Sequence, residues 1–189
     1  QKGAGFWVSK SSAATGNILV RGCAFENFYG RAIFQGKNVT GENCRFANGP
    51  SIPLKFQLAY TVDKWAEGGG CSNAVVRGCV FENCNGKSDK TLGWLAEIFS
   101  GATVDPESGF KAPARCASGD ILVEKNRFKN LRGLAWLANV GENLVFRDNE
   151  IEISSDSAES YAACVFVGDV KGARIVNNTV TARFPAECG

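Results

Sequence analysis

The chain has 189 residues, a formal net charge of +2 and no histidine. That balance argues against a dedicated nucleic-acid binder, which carries a clustered basic patch, and the lack of His and of any CxxC pair argues against classical zinc sites. No apolar run reaches the roughly eighteen residues of a membrane span, while 44% apolar residues with 13 Phe suffice for one domain over residues 1–189 with a continuous core.

In chain order, Gln1 is expected to be a processed N terminus with no signal peptide ahead of it. Phe6, Trp7 and Val8 are expected to form a strand of an incomplete first coil. Then comes the unit on which the chain is built, NILVRGCAFEN over Asn17–Asn27, repeated as NAVVRGCVFEN over Asn73–Asn83. Looser copies are NVTGENCRFAN (Asn38–Asn48), DILVEKNRFKN (Asp120–Asn130), ENLVFRDNEIE (Glu142–Glu152) and GARIVNNTVTA (Gly172–Ala182). Recurrence at a few tens of residues marks a repeat architecture. Within each copy apolar residues alternate, as Ile18, Val20 and Phe25 do, and a period of two predicts strands. Cys23, Cys44, Cys79, Asn126, Asn149 and Asn178 share the bend between two short strands. The bend calls for a left-handed or bridge conformation, which Asn adopts at low cost. Stacked coils would set these six residues in one column at about 4.8 Å, with Asn amides laddered and Cys filling the same inward slot. Cys84 is expected to be a core thiol as well.

The repeated I-x-V-x-x-N-x-F frame resembles the right-handed parallel β-helix of the pectate-lyase-like superfamily over Asn17–Phe184. The resemblance implies an all-β fold with three strands per coil and an Asn ladder at the tight turn between the second and third. About six coils are expected, one per copy. First strands are assigned to Arg31–Gly36, Pro53–Leu58, Trp94–Ser100, Gly133–Ala138 and Ala163–Gly168. Aligning Phe34, Phe56, Ile98, Trp136 and Phe166 as inward makes Ile33, Gln35, Lys55, Gln57, Glu97, Phe99, Ala135, Leu137, Val165 and Val167 outward.

Long loops at Ala59–Ser72 and Gly101–Gly119, with shorter polar ones at Asn85–Lys90 and Ser154–Ser160, leave the solenoid. Insertions gathered on one side often mark the binding side. Cys71 and Cys116 each close a long loop just before the unit in successive coils, so a disulfide is expected between them. Gln35, Lys55, Gln57, Trp65 and Glu97 are the expected ligand-binding residues, because amides, a charged pair and an aromatic plate suit a sugar chain. A uronate lyase needs a cation against the carboxylate and a base for the C5 proton, and Lys55 and Glu97 are the catalytic candidates. AEIFS at Ala96–Ser100 and FENCNG at Phe81–Gly86 are similar to the chondroitinase-B and alginate lyase family. Gly101-Ala102-Thr103 stands where that family has a lysine after the Ser, and no matching arginine lies near Trp136.

No cofactor is expected, with calcium as the alternative. Asp63, Asp105 and Glu107 are too scattered for a calcium site. Asn38-Val39-Thr40 and Asn177-Asn178-Thr179 are glycosylation sequons. The expected function is recognition or processing of a polysaccharide, by a lyase or glycoside hydrolase if enzymatic, in a secreted or envelope setting. A structural or adhesive module of a fibre, tailspike or surface assembly is the alternative. An apolar patch at Ala135, Leu137, Val165 and Val167, together with unpaired edges at the ends, points to a homo-oligomer or a larger parent protein.

Overall fold

A computed structural model describes residues 6–7, 16–27, 32–34, 36–48, 54–56, 60–62, 65–67, 71–83, 96–99, 119–131, 136–139, 141–154, 165–167 and 170–183. Apart from an antiparallel pair, Tyr60–Val62 with Trp65–Glu67, they form three parallel sheets in which the strand order follows the order of the chain. The first sheet runs Phe6–Trp7, Ala32–Phe34, Leu54–Phe56, Ala96–Phe99, Trp136–Asn139, Val165–Val167. The second runs Gly16–Arg21, Gly36–Glu42, Cys71–Arg77, Gly119–Glu124, Gly141–Arg147, and closes with Val170–Lys171 and Arg174–Val176, both paired to Gly141–Arg147. The third runs Ala24–Glu26, Arg45–Ala47, Val80–Glu82, Arg127–Leu131, Glu150–Ser154, Thr179–Arg183. The chain therefore visits the sheets in rotation, one strand of each per rung, as the repeat frame predicts. Phe6–Trp7 supplies the expected N-terminal strand, pairing with Ala32 and Ile33.

The shared bend position forms one column. Arg45, Val80, Arg127, Glu150 and Thr179 donate their backbone N–H to the carbonyls of Cys23, Cys44, Cys79, Asn126 and Asn149, at 2.8–2.9 Å. Asn149 Oδ1 accepts from Asn126 N and Nδ2, each at 3.0 Å, and Asn178 Oδ1 accepts from Asn149 N at 3.0 Å and Nδ2 at 2.9 Å. The amide nitrogens also reach back to carbonyls of the preceding strands, Asn126 to Val76 and Asn149 to Val123, both at 3.1 Å. Cys44 and Cys79 occupy the same slot with weaker thiol donors, their Sγ atoms 3.5 Å from the Val20 carbonyl and 3.8 Å from that of Gly41. Buried amides are affordable here because the neighbouring rung meets their hydrogen bonds.

The left-handed residue is not the ladder residue but the one before it. Gly22, Asn43, Gly78, Lys125, Asp148 and Asn177 have φ between 53° and 64°. A single left-handed residue swings the chain sharply, and the following Cys or Asn then points into the core. Gly78 is required for a second reason: a Cβ there would lie 2.6 Å from Asn43 Oδ1.

Beside this column lie stacked phenylalanines. Phe25, Phe46, Phe81 and Phe128 have centroids 4.9, 5.1 and 5.0 Å apart and interplanar angles of 7–10°. Their spacing is that of the strands themselves, so each ring covers the next. Ile151 and Val180 continue the row in register. Val39, Ala74, Ile121 and Leu144 fill the opposite wall, all buried. Cys23, expected in the core, is exposed, because it heads the column and no described rung covers it.

In the first sheet the register differs from expectation. Phe34, Phe56 and Ile98 align with Ala138 and Val167, while Trp136 aligns with Val165 and Leu137 with Phe166. Val165 and Val167 therefore pair with Trp136 and Ala138, and Phe166 takes the place beside Leu137; Ala135 is outside the described residues. A strand slipped by one residue exchanges its two faces, and here apolar residues are contiguous enough that alternation alone left the choice open. The Ala59–Ser72 segment is not all loop. Tyr60–Val62 and Trp65–Glu67 pair antiparallel with Val62 opposite Trp65, and Cys71 already belongs to the second sheet. Cys116 and Cys84 lie outside the described residues, as does most of the loop ending at Gly119.

Asn149→Ala removes the acceptor for Asn126 and strands buried donors, so it should lower the unfolding free energy by about 3 kcal/mol, with the core otherwise intact; urea unfolding of both proteins measures this. Burial pushes the Cys79 thiol up from 9.0 to about 12 and also raises Cys44. The unfolded chain releases these protons first, so the native state should lose stability progressively as pH rises above 9 towards 12. In the native protein at pH 8, iodoacetamide should modify Cys23 and spare Cys44 and Cys79, as mass spectrometry of the peptides can show.

Candidate functional site

The first sheet places the expected charged pair on adjacent strands. Lys55 sits at the middle of Leu54–Phe56 and is the direct partner of Glu97 in Ala96–Phe99. Neighbouring strands lie about 4.8 Å apart. The full row reads Trp7, Ile33, Lys55, Glu97, Leu137, Phe166. One cation and one anion thus interrupt an otherwise apolar row. The hairpin that carries Trp65 leaves the chain shortly after the Lys55 strand. Lys55, Glu97 and Trp65 are thereby assigned to one sheet and its nearest insertion. Gln35 and Gln57 are outside the described residues.

The outer faces of the other two sheets hold charge patterns absent from the expectations. Arg21, Glu42, Arg77, Glu124 and Arg147 are successive partners in the second sheet. They form a column of alternating sign: Arg21 bonds Glu42, Arg77 Nε lies 4.0 Å from both Glu42 and Glu124, and Arg147 holds Glu124 through Nη2 at 2.6 Å and Nε at 2.9 Å. Glu124 is 5% exposed, and its two flanking guanidiniums offset the cost of burying the carboxylate. The signal was in the sequence, since all five occupy the same place in successive copies of the unit. In the third sheet Arg45 bonds Glu26 on one side and Glu82, at 3.0 Å, on the other. Glu26 and Glu82 are the two register partners of Ala47, which is fully buried.

Two further Asn columns mark the corners. Asn38 donates to Asn17 at 2.9 Å, and Asn73 donates to Asn38 at 2.7 Å. Asn83 donates to Asn48 at 3.0 Å, and Asn130 to Asn83. Their φ values of 51–57° are left-handed. An amide both donates and accepts, so identical amides stack indefinitely; an ionised Asp only accepts. Asp120 accordingly takes a bond from Asn143 at 3.1 Å, and among the described residues none joins it to Asn73. Asn38, in the first sequon, already has both amide atoms engaged.

Among the described residues no group of three or more His, Cys, Asp or Glu is placed to hold a metal ion. No helix of the described residues is long and apolar enough to cross a membrane.

The family model described as "right handed beta helix region" matches residues 1–105. The chain belongs to this family, and its three parallel sheets with internal ladders are the fold that the family name states. No curated protein and no solved structure matches the chain significantly.

Glu124→Gln should destabilise the protein by about 1–2 kcal/mol, a value discounted because Arg77 and Arg147 are half exposed. The difference from the parent protein should shrink in 1 M salt, as guanidinium-free urea unfolding at two ionic strengths would show.

Proposed function

We propose that the protein is an extracellular or envelope polysaccharide-recognition β-helix whose glycan lies along the first sheet. The observation that carries this reading is the register pairing of Lys55 with Glu97 inside an apolar row, next to the hairpin that bears Trp65. A sugar chain offers hydroxyls to charged and amide groups and a C–H face to an aromatic ring. Rungs repeat at about the strand spacing, so an elongated ligand along the axis meets successive rungs in turn. The charges of the second-sheet column are matched to one another, which makes that face self-contained. Lys55 would bind an acidic substituent. Glu97 would accept hydroxyl hydrogen bonds, or take a proton if the sugar is also processed.

The test is a panel of acidic and neutral glycans, read by calorimetry for binding and by absorbance for unsaturated ends and reducing-end assay for cleavage. Trp65→Ala should weaken binding of the best glycan roughly tenfold while the thermal midpoint stays put. Unchanged binding in that variant would remove Trp65 from the site, and no binding by any glycan would reject the reading.

A structural or adhesive role is the second reading. The second-sheet column supports it: Arg21, Glu42, Arg77, Glu124 and Arg147 tie rung to rung along the solenoid. Sedimentation across concentration distinguishes an assembling module from a monomeric binder.

A further inference from the structure

The third sheet changes character along the solenoid. Through its first four strands the chain leaves the sheet at a left-handed Asn, namely Asn27, Asn48, Asn83 and Asn130. The last two strands do not: Glu150–Ser154 and Thr179–Arg183 run straight on, each five residues long, with no left-handed residue in either. Where the two patterns meet, the register slips. Phe128 pairs with Ile151 and Leu131 with Ile153, so Lys129 and Asn130 together stand against the single Glu152. Such a bulge re-aims the side chains beside it and is common at binding sites.

A shallow groove of about 260 Å³ opens beside this slip, with Lys129 and Glu152 in its lining. Arg127, Lys129, Glu150, Glu152, Thr181 and Arg183 contribute to its lining, with Thr179 beside them. Arg127 is matched by Glu150 at 2.8 Å, and Arg183 lies 4.0 Å from Glu152. Lys129 is exposed, and among the described residues no carboxylate pairs with it. The groove therefore offers one uncommitted positive charge, two hydroxyls on one strand and two carboxylates with accepting capacity to spare. It has no exposed aromatic plate, because Phe128 is buried in the core.

We infer that this groove on the third sheet is a binding site for a small hydroxylated anion, one that carries a single carboxylate or phosphate on a polyol or sugar ring. The anionic group meets the Lys129 ammonium, a charge-assisted contact stronger than a neutral hydrogen bond. Ring hydroxyls donate to Glu150 and Glu152 and exchange hydrogen bonds with Thr179 and Thr181. A strongly polyanionic ligand is disfavoured, since it would face the same two carboxylates. Affinity should be modest, of millimolar order, because the groove is open and lacks a stacking surface. The site is separate from the first-sheet face and does not rest on the reading proposed for it.

The experiment titrates the full chain with glucose 6-phosphate, glucuronate and uncharged glucose, following lysine and threonine signals by NMR. At least one of the two anions should bind at millimolar concentration and glucose roughly tenfold more weakly or not at all; which anion binds tells phosphate from carboxylate. Lys129→Gln should weaken that binding roughly tenfold, while Trp65→Ala leaves it unchanged. Circular dichroism and the thermal midpoint of Lys129→Gln should match the parent, which excludes misfolding as the cause. Absence of shifts with either anion, equal binding of glucose, undiminished binding by Lys129→Gln, or loss in Trp65→Ala would each overturn the assignment.

Discussion

Every rung of this solenoid must bring the chain back to the same place, one strand spacing along. The tightest point in that circuit is the corner between the second and third sheets. There the backbone must bend within two residues, and the polar groups released by the bend are buried. Asn126, Asn149 and Asn178 resolve both demands: the amides of Asn126 and Asn149 close hydrogen bonds to the rung on either side, and that of Asn178 to the preceding rung. A buried amide left unpaired would cost more than a typical hydrogen bond contributes. The ladder is thus stable only as a stack, which makes each rung dependent on its neighbours. Cys44 and Cys79 hold the same slot with smaller, less demanding side chains.

The same stacking logic governs what lies outside. In parallel strands held in register, like positions become neighbours, so any pattern along the repeat becomes a pattern along the axis. The alternation Arg21, Glu42, Arg77, Glu124, Arg147 turns what would be a column of repulsions into one of attractions. Identical asparagines need no alternation, as an amide complements itself. Faces built in this way satisfy themselves. The two proposed ligand sites lie where the repeat is interrupted: at the hairpin inserted after Leu54–Phe56, and beside the slip between Arg127–Leu131 and Glu150–Ser154.

The sequence by itself determined the fold class and the ladder. Period-two alternation, six copies of one frame and a constant Cys/Asn position sufficed, because those features depend on local geometry and on like residues stacking. It also carried the charged column, in plain view at one place of the frame. Only the tertiary structure decided which residue of the corner is left-handed, since Gly22 and Cys23, or Lys125 and Asn126, are adjacent and both tolerable there in isolation. It also decided the first-sheet register at Trp136–Asn139 and Val165–Val167. The run VFV is apolar at consecutive positions, so alternation could not choose a face there, and the choice fell to pairing with the preceding strand. The groove beside Lys129 was illegible for a related reason. Its lining comes from three successive strands of the third sheet, beside the place where two residues oppose one, and that juxtaposition exists only once the strands are laid side by side.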